Sequence, residues 1–155
     1  MKTIYTPNRL ATGCMCAAAL ALAGCGSSAS ALDKSQLAAK GNPICAQTDA
    51  TLKGLKPPTG AGTTGYAPYL TKIINAVQTE LDHFKTLDPD STVKSDYTAY
   101  VSNEALVISH YKSARARALA HDAAGMTNQL KQTDGPGGRL RTAARHLGWT
   151  ECLKN

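Results

Sequence analysis

A chain of 155 residues with a formal net charge of +6 has room for one domain. Hydrophobic residues make up 43% of the chain, which excludes a wholly disordered protein. Aromatic residues make up only 5%. The core must therefore be aliphatic and rich in alanine, and this composition favours packed helices over a β-sandwich.

The first 24 residues have the composition of an export signal. Residues 1–10 include Lys2 and Arg9 and no acidic residue, and residues 11–24 are all small or apolar. This apolar run is too short to span a bilayer as a permanent helix. We therefore expect a cleaved signal peptide over residues 1–24, with a retained membrane anchor as the alternative.

The end of this run, Leu22-Ala23-Gly24-Cys25, resembles the lipobox of bacterial lipoproteins. The resemblance implies that Cys25 carries a diacylglyceryl group and becomes the first mature residue. Residues 25–32 then form a flexible tether, and residues 33–155 form the folded domain. The expected location is the outer face of the bacterial cytoplasmic membrane, with the protein held there by its lipid. Plain secretion, with cleavage after Ala31, is the alternative.

The cysteines give a second indication of an exported protein. Cys14 and Cys16 lie inside the signal, where they serve as apolar residues. Beyond Cys25, only Cys45 and Cys152 are left, and an even pair in an exported protein predicts a disulfide. Closing so long a loop is worth up to about 4.7 kcal/mol by chain entropy. Two unrelated buried thiols are the alternative, whereas no histidine stands at a motif spacing that would support a catalytic thiol.

The first helical signals surround a proline. Asn42-Pro43 is typical of a helix start, with Asn as N-cap and Pro in the first turn, and predicts a helix to about Leu55. A separate short helix is expected over residues 32–40, ended by Gly41. Residues 56–65 are rich in proline and glycine and predict a linker.

The clearest pattern is a pair of long amphipathic helices. Two apolar stripes at helical spacing flank a turn over residues 87–91, whose Asp and Ser side chains can cap the second helix. Such a pair predicts an antiparallel hairpin that needs flanking segments to cover it. The first stripe contains Leu70, Ile73, Ile74, Val77, Leu81 and Phe84, and the second contains Tyr97, Tyr100, Val101, Val107, Ile108, Tyr111, Ala114 and Ala118.

The remaining segments supply that cover. A short helix with Met126 and Leu130 is expected to end near Thr133, and the Gly- and Pro-rich residues 134–138 predict a break. A last helix over residues 140–147 should end at Gly148. The predicted fold is all-α, a small antiparallel helical bundle built on the central hairpin and pinned by one disulfide.

Three short motifs together resemble a family pattern. They are Ile44-Cys45, the turn Asp88-Pro89-Asp90, and residues 147–152, which follow the spacing LGxxxC. This pattern is similar to small bacterial secreted or lipid-anchored helical proteins of uncharacterised function. The resemblance implies a helical fold and an extracytoplasmic location, and it implies no activity.

Glu104 is the most suggestive polar residue, because it stands where the second stripe calls for an apolar one. A buried carboxylate there needs a partner or a raised pKa, which would make it a ligand-binding candidate. The alternatives are that the stripe reaches the surface at this point, or that a lysine pairs with Glu104.

A second candidate site combines aromatic side chains and one cation. An antiparallel hairpin brings Tyr111 near Tyr69, with Tyr66 and Arg115 at the same end. These side chains could line a small pocket for an anionic or planar ligand. The alternative is that the tyrosines are core residues whose hydroxyls reach water at the rim.

Other classes of site are not indicated. The four histidines are not spaced to share a metal ion, and no catalytic, phosphate-binding or cofactor motif is present. We therefore expect no enzyme activity, no metal and no cofactor. The C-terminal half is basic, but no aromatic platform accompanies its charges, so nucleic acid is a poor fit. Its basic residues are Lys112, Arg115, Arg117, Lys131, Arg139, Arg141 and Arg145.

Two functions are compatible with these features. The first is a non-enzymatic binding or scaffolding role at the bacterial envelope, in which the basic face meets an envelope protein or an anionic surface polymer. The second is a small-ligand carrier that uses the tyrosine and arginine pocket.

Overall fold

The computed structural model describes residues 31–59 and 62–154. The described residues form five α-helices and a short C-terminal 3₁₀ helix, so the all-α prediction is confirmed. The elements are α1 (Lys34–Lys53), α2 (Tyr66–Phe84), α3 (Lys94–Leu119), α4 (Ala123–Lys131), α5 (Asp134–Leu147) and the 3₁₀ helix (Glu151–Leu153). The expected signal peptide and Cys25 lie outside the described residues.

The predicted hairpin is the centre of the bundle. Helices α2 and α3 pack along each other, and α3 also packs against α4 and α5. Helix α1 covers α2, and the 3₁₀ helix returns to α1. In the turn between α2 and α3, the carboxylate of Asp90 accepts hydrogen bonds from the backbone N–H groups of Thr92 and Val93. These bonds order the turn just before α3. The N-cap residue of α3 is Val93 and no side chain caps the first turn, so the predicted capping by the Asp and Ser side chains of the turn is wrong.

The prediction of a helix boundary at Asn42-Pro43 is wrong, because α1 runs unbroken from Lys34 through Pro43. The helix starts one residue after Asp33, whose side chain forms a reciprocal capping box with Gln36. A proline inside a helix costs one backbone hydrogen bond. Tertiary burial offsets this cost, because one face of α1 lies buried against the bundle on both sides of the proline. That face contains Leu37, Gly41, Cys45 and Thr48.

The expected break over residues 134–138 is also wrong, since α5 begins at Asp134 and continues through them. Pro136 is the third residue of α5, in the first turn, where a backbone N–H has no partner within the helix. The C-terminal end of α5 follows the prediction. Gly148 adopts the left-handed conformation there, with φ of 74°.

A single tryptophan organises the end of the bundle where α1 starts. Trp149 is fully buried, stacks on Phe84 at a centroid distance of 4.4 Å, and donates from its indole N–H to the carbonyl oxygen of Leu37. Gly41 provides the space, because a Cβ at this position would lie 2.4 Å from the indole ring. The segment before Gly41 is therefore part of the domain core.

Covalent and polar links join the C-terminal segment to α1. Cys45 and Cys152 form a disulfide with a Cα–Cα distance of 5.0 Å across 107 residues of sequence. The side chain of Asn42 adds two hydrogen bonds, donating to the carbonyl of Gly148 and accepting from the backbone N–H of Glu151. The bundle is therefore pinned end to end, as the pair of cysteines predicted.

Candidate functional site

A cavity opens between the middle of the hairpin and the C-terminal elements. Its volume is about 250 Å³, and α2, α3, α5 and the 3₁₀ helix contribute most of its walls. The lining combines four aliphatic side chains with acidic and phenolic groups. The aliphatic part is Leu52, Val77, Val107 and Leu140, and the polar part includes Glu80, Tyr100, Glu104, Tyr111, Thr133, Asp134 and Arg141.

Glu104 is the most unusual group in this lining. The residue is only 4% exposed, and its Oε2 atom is buried without a hydrogen-bond partner in the described part of the chain. Burial and, to a smaller extent, the nearby Glu80 carboxyl together raise the pKa of Glu104 to about 9, while the positive charge of Lys85 offsets part of the rise. Glu104 is thus buried, and no ion pair with a lysine is formed in the described residues. Both alternatives left open by the sequence fail for this residue.

Glu80 supplies a second buried carboxyl from α2. It is 7% exposed, and burial raises its pKa to about 7, while the nearby hydroxyls of Thr48 and Tyr100 offset part of the rise. Burial also raises the pKa of Tyr100, with the Glu104 and Glu80 charges adding to the effect. The site is therefore a cluster of acids in which ionisation is suppressed near neutral pH. Glu104 is mostly protonated there, and Glu80 is close to its midpoint.

The disulfide borders the same cavity. Cys152 is part of the lining and is half-buried, whereas Cys45 is fully buried, with its Sγ 3.9 Å from the Tyr100 hydroxyl. The Sγ atoms of both cysteines and a carboxylate oxygen of Glu80 all lie within 4.8 Å of one another. Sulfur and carboxylate donors thus meet at one wall of the cavity.

The sequence pointed to Glu104 but not to Glu80. Glu80 lies at the flank of the first apolar stripe, three residues after Val77 and four before Phe84. That position on a helix borders the buried face, and α1 covers it in the fold. The spacing of Glu80 from Val77 and Phe84 therefore indicated a position beside the buried face. Only the packing of α1 against α2 decides that this position is buried.

The predicted tyrosine and arginine set does not line one pocket. Tyr111 lines the cavity, while Tyr69 lines a separate surface depression of about 370 Å³ that also contains lysine side chains. The rings of Tyr66 and Tyr69 contact each other edge to face, with centroids 6.5 Å apart. Arg115 donates from Nε to the Thr71 hydroxyl at 2.7 Å, which holds the guanidinium against α2. Burial and, after it, the nearby Tyr69 raise the pKa of Tyr111, so these two residues lie close together as the hairpin predicted, but the set does not form one pocket.

Several of the basic residues are engaged in contacts within the fold. Arg139 donates from Nε to the buried Asn103 side chain at 2.6 Å, and Arg117 forms an ion pair with Asp122 at 3.2 Å. Lys112 donates to the Gln78 side chain across the hairpin. Together with Arg115, four of the seven basic side chains therefore have hydrogen-bond or ion-pair partners within the fold.

The histidines lie apart from the cavity lining. His121 shares a hydrogen bond with Thr63, and His110 shares one with Gln129. His146 lies 3.0 Å from the Asp96 carboxylate at the surface. Each of these three rings therefore has a separate local partner.

Comparison of the chain with protein-family models, curated proteins and solved structures finds no match. Among the helices that the structure describes, none is long and apolar enough to cross a membrane.

Proposed function

We propose that this protein is a non-enzymatic binding protein of the bacterial envelope, tethered through lipidated Cys25, that takes a small organic cation into the acidic cavity. The observation that carries the proposal is the buried, unpartnered Oε2 atom of Glu104 at the wall of an open cavity. A buried polar atom without a partner costs free energy, and a ligand that donates a hydrogen bond to it recovers that cost.

The lining favours a cation with an apolar body. Three carboxyl groups, those of Glu80, Glu104 and Asp134, line the cavity and outnumber the one guanidinium group, that of Arg141. The rings of Tyr100 and Tyr111 lie in the same lining, and carboxylates and aromatic rings both attract ammonium groups. The aliphatic side chains offer contacts to a short hydrocarbon part. The volume of about 250 Å³ falls below the range of about 300–1,000 Å³ that is typical of pockets for drug-sized ligands. The ligand class is therefore a short-chain amine.

The test compares a primary amine with the alcohol of the same chain length, using the purified protein with its disulfide intact. The amine should raise the unfolding midpoint, since it binds only the folded state, and the alcohol should have a much smaller effect. Calorimetry near pH 7 in two buffers of different ionisation enthalpy should show proton release on amine binding, because the cation favours ionisation of Glu104.

Glu104→Gln should abolish both the midpoint shift and the proton release. The matched control is Asp88→Asn, which removes an exposed carboxyl from the turn between α2 and α3 and should leave both unchanged. Equal stabilisation by the amine and the alcohol, or an unchanged response in Glu104→Gln, would show that the acids do not select the ligand.

The anchor rests on the lipobox-like residues 22–25 and has its own test. In the native host, Cys25→Ser should move the protein from the membrane fraction to the soluble extracytoplasmic fraction. The intact mass of the mature protein should begin at Cys25 and include the added lipid. A mature protein that starts at a later residue and carries no lipid would refute the anchor but leave the cavity proposal intact.

A further inference from the structure

We propose that reduction of the Cys45–Cys152 disulfide creates a binding site for a thiophilic divalent metal ion such as Zn²⁺, with both thiolates and the Glu80 carboxylate as ligands. This inference does not rest on the proposed binding of an amine, because it concerns the reduced protein and depends on the two thiolates, although Glu80 also lines the amine cavity. In the oxidised protein, the same sulfur atoms are bonded to each other and hold no charge.

The positions of the donor atoms support the site. The two Sγ atoms and a Glu80 oxygen lie within 4.8 Å of one another. A tetrahedral Zn²⁺ ion has bonds of about 2.3 Å to sulfur and about 2.1 Å to oxygen, so its ligand atoms stand roughly 3.5–4 Å apart. Because a disulfide holds its sulfurs about 2.05 Å apart, reduction must let them separate by roughly 1.5–2 Å before the three donors can bind one ion.

A second observation points to a ligand at this wall. Glu104 is only 4% exposed and lines the same cavity as Glu80 and Cys152. Its Oε2 atom has no hydrogen-bond partner in the described residues. Three protein ligands leave one tetrahedral position of the ion open. Two of those ligands, Glu80 and Cys152, line the cavity, from which water can reach the ion. A water on the metal would donate a hydrogen bond to the unpartnered oxygen, which supports the ion without direct ligation.

The cavity also gives a reductant access to the disulfide. Cys152 borders the cavity on the short 3₁₀ helix, whereas Cys45 is fully buried. A thiolate of a dithiol reductant attacks Sγ of Cys152, which forms a mixed disulfide and releases Cys45 as the thiolate. The second thiol of the reductant then displaces Cys152, so the reductant leaves as a disulfide and two electrons pass to the protein. Metal binding releases to solvent any proton held by the two thiols or by Glu80.

The experiment titrates Co²⁺, as a spectroscopic substitute for Zn²⁺, into the purified protein after reduction with a phosphine and anaerobic removal of the phosphine. The expected result is sulfur-to-cobalt charge-transfer absorption that saturates at one additional ion per chain relative to the oxidised protein. Addition of Zn²⁺ should then remove the absorption by displacing the cobalt. Circular dichroism before and after reduction shows whether the helices persist.

Two variants assign the ligands. The double variant Cys45→Ser with Cys152→Ser should lose the absorption, because it removes both thiolate ligands. Glu80→Gln keeps both thiols and should weaken Co²⁺ binding by about tenfold or more, since even supporting residues around a metal are worth about that much. Asp82→Asn, two residues away on the exposed side of α2, should bind as the wild type does.

The proposal is overturned by any of three results. They are an equal affinity in the oxidised and reduced wild-type protein, persistence of the absorption in the double cysteine variant, and an affinity of Glu80→Gln equal to that of the wild type. If the double variant does not fold, the Glu80→Gln comparison decides, because that variant retains the disulfide for folding before reduction.

Discussion

Glu104→Gln should remove a large part of the pH dependence of stability. In the folded protein the pKa of Glu104 is about 9, against an ordinary value of 4.5, with burial as the main cause. Between these two values the folded state retains a proton that the unfolded state releases, so the protein loses stability as the pH rises. Glutamine has a similar shape and does not titrate.

The size of the effect follows from the linkage between proton binding and folding. Each pH unit in this window changes the free energy of unfolding by about 1.4 kcal/mol for one fully suppressed carboxyl. Between pH 5.5 and pH 8, Glu104 therefore contributes up to about 3 kcal/mol of lost stability. Water in the adjacent cavity solvates the carboxylate and reduces this value, so we expect about 2–3 kcal/mol. The wild type should lose that much more than Glu104→Gln across the same range.

The assay is urea unfolding at several pH values, with the disulfide intact, followed by the fluorescence of Trp149. This residue is the only tryptophan of the chain and is fully buried, so its emission reports the loss of the core. Asp88→Asn, which removes an exposed carboxyl from the turn between α2 and α3, is the control, and it should retain the wild-type slope. Parallel pH curves for the wild type and Glu104→Gln would refute the argument, because Glu104 would then titrate as an exposed carboxyl does.

Three further predictions concern the packing that surrounds the site. Gly41→Ala should lower the free energy of unfolding by about 2–3 kcal/mol, because the added Cβ meets the Trp149 ring. The control is Gly138→Ala, which has open space around its Cβ and should raise the free energy of unfolding by up to about 1 kcal/mol. Equal effects of the two substitutions in urea unfolding would contradict the proposed close contact. Asn42→Ala should lower the free energy of unfolding by about 1–2 kcal/mol, since it breaks both hydrogen bonds to the C-terminal segment. Asn75→Ala, on the exposed side of α2, is the control and should have little effect on that free energy. Reduction of the disulfide should lower the stability by up to about 4.7 kcal/mol by chain entropy, and a midpoint in urea that does not change on reduction would contradict this value.

The central hairpin could be predicted from the hydrophobic periodicity of its two helices. Residues 70–84 have an apolar stripe of helical period, and α2 contains all of it. A long amphipathic helix has few other ways to bury such a stripe, so its partner helix could be predicted as well. Boundaries were harder, since Pro43 and residues 134–138 have local signals for a break. Burial of the helix faces against neighbouring helices outweighs these local preferences, so both helices continue through the proline and glycine residues.

The candidate site was predictable only in part, for a related reason. Glu104 interrupts an apolar stripe, so its helix alone indicated that the carboxyl is unusual. Glu80 lies at the edge of its stripe, and whether such a position is buried depends on α1, which comes from another part of the chain. The cavity itself is formed by elements distant in sequence, and no local pattern contains its shape.

The sequence by itself determined the helical class and the hairpin, because hydrophobic periodicity acts within single segments. It also predicted the pairing of Cys45 with Cys152, with two unrelated buried thiols as the alternative. Only the tertiary structure decided which polar groups lose contact with water. Desolvation depends on every element packed around a group, and it is desolvation that raises the pKa of Glu80 to about 7 and of Glu104 to about 9 and leaves the latter without a partner beside the disulfide.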